Sequence, residues 1–197
     1  MYKRGTYTIF GLDIEEFHRE DRDLATQEAL RAELMHILDR ALEDGGLHSA
    51  ADILDRGDGA LVIMSCRPLE VLTQVVPRLT SLLDDYNRGR PSRLVLRLRL
   101  ALHVGLTSYD GRGYIGRDLT FAVRMLGSET MRRQLATTTR PIVLAVSDQV
   151  RDLAETARSE GPESLPKFGS LEFKNKETQA TAWTAQLGRS VPAWRAA

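Results

Sequence analysis

The chain lacks most of the features that narrow a function at once. It has a single cysteine, Cys66, in 197 residues, which excludes an internal disulfide. That thiol follows an apolar run and reads as packed rather than reactive. Charge of one sign is also missing. Lys and Arg number 27 and so do Asp and Glu, so no basic footprint for DNA or RNA covers the surface. A local phosphate site stays open. No apolar run is long enough to span a membrane. Behind Met1–Gly5 there is no apolar signal region, so a cytoplasmic location is expected. No repeat, low-complexity segment or second domain is visible. His18, His36 and His48 have no metal-ligand spacing, and His103, at a strand end, reads as structural.

What is present is an ordinary globular composition, 42% hydrophobic and 27% charged. That length and composition fit one domain, residues 1–187, followed by a patternless and mobile tail, 188–197. The chain is organised around Asp55–Met64. Gly57-Asp58-Gly59 separates two apolar runs, 50–54 and 60–64, as the turn of a hairpin, and glycine on both sides permits positive φ and close approach. Asp58 therefore stands at a hairpin tip. Asp13 ends an earlier apolar strand, Tyr7–Leu12. Two aspartates at neighbouring strand ends suit a hard divalent cation.

The remaining elements follow from periodicity. Leu30, Leu34, Ile37, Leu38, Ala41 and Leu42 form a helical stripe behind an acidic lead-in, and Gly45-Gly46 stops it. Pro68 opens a second helix with Leu72, Val76, Leu79 and Leu83 on one face, and Pro77 predicts a kink in it. From Leu94 to His103 the pattern alternates. The leucines face one way, and Val95, Arg97, Arg99, Ala101 and His103 face the other. Residues 108–116 read as a loop or hairpin, 118–135 as one helix, and 142–146 as a strand. Ser147 caps another helix, 161–166 is a loop, and two strands close the chain around Lys174-Asn175-Lys176-Glu177. The order predicts an α+β fold with a ferredoxin-like βαββαβ core and a C-terminal extension. In that plan helices cover one sheet face, and the face bearing Arg97, Arg99 and His103 waits for a partner or ligand.

Five segments in this order resemble the catalytic domain of class III nucleotidyl cyclases, the adenylate and guanylate cyclase family, over residues 7–185. Gly11-Leu12-Asp13-Ile14-Glu15-Glu16-Phe17 resembles the first metal segment, and Arg56-Gly57-Asp58-Gly59 the second metal turn. Leu100–Gly105 resembles the strand entering a His-x-Gly. Gly116–Met125 resembles a Gly-x-x-Val-Asn-x-Ala-x-Arg segment, and Phe173–Lys176 the basic loop near the end.

The resemblance implies a ribose 3′-hydroxyl attacking the α-phosphorus and expelling pyrophosphate. Two Mg²⁺ or Mn²⁺ ions would be held by Asp13, Asp58 and the backbone of Ile14. Arg124 would stabilise the transferring phosphate. Lys174 or Lys176, and in a further reading Arg97 and Arg99, would contact phosphates. It also implies a homodimer, with the aspartates from one copy and the arginine from the other. The departures are specific. Thr120 occupies the asparagine position, and the two base-reading positions hold Leu54 and Gly113, whose side chains cannot hydrogen-bond a base. The expectation is a divergent, degenerate domain that binds a nucleotide in signalling, with an unidentified partner protein. The alternatives are an active cyclase of altered base selectivity and a dimerisation module without nucleotide.

Overall fold

A computed structural model of the protein describes residues 3–160 and 165–191. The first strand, β1 (Lys3–Ile14), leads to α1 (Leu24–Asp44), which Asp23 caps by accepting the Thr26 N–H at 2.9 Å. The hairpin β2 (Ala51–Asp55) and β3 (Gly59–Met64) follows. Next come α2 (Pro68–Glu70) and α3 (Val76–Asn87), joined by a π-helical turn at Val71–Val75. Pro77 offers no N–H to the carbonyl of Thr73, and the expected irregularity is this widened turn just before it.

The strand β4 (Leu98–Tyr109) pairs with a short β5 (Tyr114–Ile115). The alternation that begins at Leu94 is not yet strand there. Asn87 reaches across to take both backbone groups of Leu96, each at 2.8 Å, and the ladder starts only at Leu98. The helix expected over 118–135 is two helices, α4 (Arg117–Leu126) and α5 (Glu129–Thr137). Gly127 ends the first, and Ser128 caps the second by accepting from the Met131 N–H. The chain closes with β6 (Ile142–Val146), α6 (Asp148–Glu160), β7 (Gly169–Asn175) and β8 (Thr178–Leu187).

One eight-stranded sheet runs β2-β3-β1-β4-β6-β8-β7, with β5 on β4. Its β2-β3-β1-β4 half is antiparallel in the ferredoxin-like order, and β6 joins β4 in parallel. Alternation sorts the side chains. Phe10, Leu12, Val62, Leu98, Leu100 and Leu144 meet α1, α3 and α6 on one face. The opposite face is not open as expected. Ala101, Val143 and Ala145 pack there against Met125 of α4 and Met131 and Leu135 of α5. Arg97, Arg99 and His103 are consequently interior, at 5%, 8% and 5% exposure. The protein's own α4 and α5 do the covering that the sequence pattern leaves to a partner or ligand.

The start of the tail is also tied down. The Arg189 N–H donates to Asp84 Oδ1 at 2.8 Å and the Val191 N–H to the Thr139 carbonyl at 2.9 Å. Residues 192–197, and 161–164 of the expected loop, lie outside the described residues.

Candidate active site

Asp13 and Asp58 are brought together by backbone. Asp13 lies opposite Gly59 in the β1–β3 register, and the Ile14 N–H donates to the Asp58 carbonyl at 2.9 Å. Gly57 turns the chain at φ +86°. Gly59 has a different task. A Cβ there would lie 2.1 Å from the Leu12 carbonyl oxygen and 2.8 Å from Asp13 Cα. Only glycine lets the turn press onto β1.

Both carboxylates line a cavity of about 190 Å³ beside Gly127, and Asp58 also lines a groove of about 530 Å³ with Ile14 and Arg99. Asp13 Oδ1 pairs with Arg99 Nε at 2.8 Å. Among the described residues, no hydrogen bond or ion pair of the chain engages the Asp58 carboxylate, and no group of three or more His, Cys, Asp or Glu side chains gathers to hold a metal. Two carboxylates with open positions fit Mg²⁺ or Mn²⁺, which keep waters and take further oxygens from phosphate. They do not make a closed protein cage. Burial pushes the Asp13 carboxyl from 3.8 up to about 6. Arg99 opposes that rise and the neighbouring Asp58 charge adds to it. A cation between the two acids would relieve this repulsion.

That shift carries a sign. The folded chain holds the Asp13 proton more tightly than the unfolded chain, so this group's contribution to stability falls as pH rises from about 4 to about 6. A metal ion held by Asp13 would have to displace the same proton. Mn²⁺ affinity is therefore expected to rise between pH 5 and 7, with proton release on binding at pH 5.5 and little at pH 8. Titration calorimetry in two buffers of different ionisation enthalpy measures it. A flat affinity across that range would remove Asp13 from the ligand set.

Arg97 is placed differently from Arg99. Its Nε pairs with Glu15 at 2.7 Å, and its guanidinium donates to the carbonyls of Leu135 and Thr138. It does not line the groove. Burial raises the Glu15 carboxyl against the pull of Arg97.

The second half of the resemblance sits elsewhere. Thr120 and Arg124, one turn apart on α4, line a separate cavity of about 690 Å³ with His103, Ser147 and Glu177. Arg124 donates to Thr178 Oγ1 at 2.9 Å and pairs with Glu177 at 2.5 Å. Lys174 and Lys176 are exposed in and beside the adjoining β7–β8 turn. Thr120 is exposed and donates its hydroxyl to the Gly116 carbonyl at 3.1 Å. His103 hydrogen-bonds Ser147 through Nδ1 at 2.9 Å, and burial lowers its pKa, so it is neutral at pH 7. Gly105 makes room for Asp118, whose carboxylate accepts the Leu106 N–H at 2.6 Å. Leu54 is half-buried in an apolar cluster with Ile9, Leu61 and Ile63, joined by Tyr114 and Leu119. Gly113 lies in the β4–β5 turn with open space where a side chain would project. Cys66 is half-buried, and burial pushes its thiol up to about 11, which keeps it protonated and unreactive.

Two features were missed in the sequence. Arg132 and Arg133 of α5 line the Asp58 groove, and Arg22, 5% exposed, donates to the carbonyls of Glu15, Glu16, Arg93 and Val95. The Gly127-Ser128-Glu129 run is a helix stop followed by a cap and could have separated α5 from α4. Nothing local announces Arg22, since two of its four acceptors, Arg93 and Val95, are distant in sequence.

No protein-family model matches the chain, and no curated protein matches it. Solved structures do. An adenylate/guanylate cyclase/hydrolase from Silicibacter pomeroyi is 18% identical with a TM-score of 0.68, covering 96% of this chain and all of the other. The adenylyl cyclase CyaB from P. aeruginosa is 15% identical at TM-score 0.62, covering 99% of this chain and 100% of that one. The guanylate cyclase domain of RhGC from Catenaria anguillulae, solved with GTP, is 15% identical at TM-score 0.59, over 94% of this chain and 99% of that one. The chain thus has the fold of the adenylate and guanylate cyclase homology domain.

Proposed function

We propose that the protein is a divergent nucleotidyl cyclase-like domain that binds a nucleotide with Mg²⁺ or Mn²⁺ at a cleft between two copies, and signals by binding rather than turnover. The observation that carries this reading is the meeting of Asp13 and Asp58 at the small cavity beside Gly127, while Thr120 and Arg124 line a cavity that shares no residue with it or with the adjoining groove. Chemistry that needs both sets draws the second from another copy. Within one site, Asp13 and Asp58 would hold the metal, which supplies charge stabilisation for phosphates and acidifies a ribose hydroxyl. Arg99 would move from Asp13 to phosphate as the cation takes its place. Arg124 of the second copy, released from Glu177, would face the phosphorus, with Lys174 or Lys176 on the outer phosphates. Binding without turnover follows from what surrounds the base and the ribose. Leu54 is packed among apolar side chains, Gly113 presents none, and Thr120 directs its hydroxyl at its own helix.

An active cyclase of altered base selectivity is the second reading, favoured by Asp13, Asp58 and Arg124 all being present. The experiment is a turnover assay with each of the four ribonucleoside triphosphates and both metals, run beside a thermal-shift series. Binding without turnover predicts no cyclic product and a raised melting temperature, about 2.7 kcal/mol of stabilisation at a hundredfold excess over Kd. A cyclic nucleotide that disappears in Asp58→Ala establishes the second reading instead. Neither product nor shift leaves a dimerisation module.

A further inference from the structure

The groove beside Asp58 has a wall that neither metal ligation nor Arg124 explains. The helix α5 is amphipathic over nine residues. Met131 and Leu135 are fully buried against the sheet, while Glu129, Arg132, Arg133 and Ala136, spaced i, i+3, i+4 and i+7, line the groove. Two arginines there share one acid. Glu129 lies 3.7 Å from Arg132 and 3.2 Å from Arg133, which leaves this face of α5 with one net positive charge on the groove that Asp58 also lines. The helix is held in register at both ends, by the Ser128 cap and by Arg97 on the carbonyls of Leu135 and Thr138.

The facing wall is the turn after β1. Glu16 sits at φ +49°, a costly conformation for a residue with a side chain. Arg22 keeps it there by binding the Glu15 and Glu16 carbonyls at 2.9 and 3.0 Å. In a trans peptide the N–H points opposite to its C=O. The N–H groups of Glu16 and Phe17 are therefore turned away from Arg22, in residues that line the groove. Such consecutive N–H groups favour an anion.

We infer that α5 closes the phosphate end of this groove. Arg132, with Arg133 beside it, binds the outer phosphates of the nucleotide, and does so from the same copy of the chain that supplies Asp13 and Asp58. This rests on the nucleotide-cleft reading and adds a clamp internal to one copy.

The test is binding of inorganic pyrophosphate with Mn²⁺, followed by calorimetry on the full chain. The variants are Arg132→Ala, Arg132→Lys and Arg133→Ala, with Arg78→Ala on the exposed side of α3 as a charge control. Loss of one charge-assisted contact is expected to weaken pyrophosphate binding about 10- to 100-fold in Arg132→Ala. Arg132→Lys should recover part of it, Arg78→Ala should match the wild type, and the melting temperatures of all four should stay together. Equal affinity in wild type and Arg132→Ala overturns the role of α5 alone. No pyrophosphate binding by the wild type overturns the cleft reading with it.

Discussion

Arg97→Met is expected to destabilise the fold by about 3–5 kcal/mol, the range for stranding one partner of a buried ion pair. The Glu15 and Arg97 side chains are 4% and 6% exposed. Without the guanidinium, a carboxylate stays buried with its nearest cation gone, and the carbonyls of Leu135 and Thr138 lose a donor at the C-terminal end of α5. Urea unfolding at pH 7.5 measures the loss. Its pH dependence separates the causes. Burial already raises the Glu15 carboxyl, and losing Arg97 raises it further. The folded variant then holds that proton above the pH at which the unfolded chain releases it, so its deficit should shrink as pH falls from 7.5 to 5. Glu15→Gln placed on top should recover part of the deficit at pH 7.5. A cost below about 1 kcal/mol would mean that water reaches this pair and that it does not anchor α5.

Asp58→Ala is expected to do the reverse, leaving the fold intact and removing the ligand. Among the described residues its carboxylate has no hydrogen bond or ion pair to lose, and the bond from the Ile14 N–H is to its backbone carbonyl. Removing a charge next to Asp13 also eases a repulsion. The melting temperature should therefore hold or rise slightly. Mn²⁺-dependent nucleotide affinity should fall at least about 100-fold, since loss of even an outer-sphere partner costs 10–100-fold. Asp13→Ala should be the harsher variant for stability, because it strands Arg99 at 8% exposure. If Asp58→Ala kept its nucleotide affinity and only melted lower, the hairpin tip would be a structural turn.

The approach of Asp13 to Asp58 was legible because it is built from local signals. A glycine pair around one aspartate marks the hairpin tip, and an apolar run ending in another marks the strand end. The antiparallel plan then brings Asp13 opposite Gly59. The pairing of Asp13 with Arg99 was not legible, nor was the covering of the Arg97–Arg99–His103 face by α4 and α5. Both depend on where elements far apart in sequence dock, and the alternation of β4 reads the same whether its polar face meets solvent or a helix. An arginine on a strand looks like a ligand contact until its carboxylate is seen across the ladder. The split between α4 and α5 lay within reach, at Gly127-Ser128, but the apolar spacing continues across it and reads as one helix.

We propose that Asp13 and Asp58 act as one cation site rather than as two separate turn aspartates. Mn²⁺ binding in the presence of nucleotide, followed by electron paramagnetic resonance in wild type, Asp13→Asn, Asp58→Asn and the double variant, addresses it directly. Each single change should remove nearly all bound Mn²⁺, and the double variant should be little worse than either. Single variants that bind like the wild type, or losses that simply add, would show that the two acids do not share an ion.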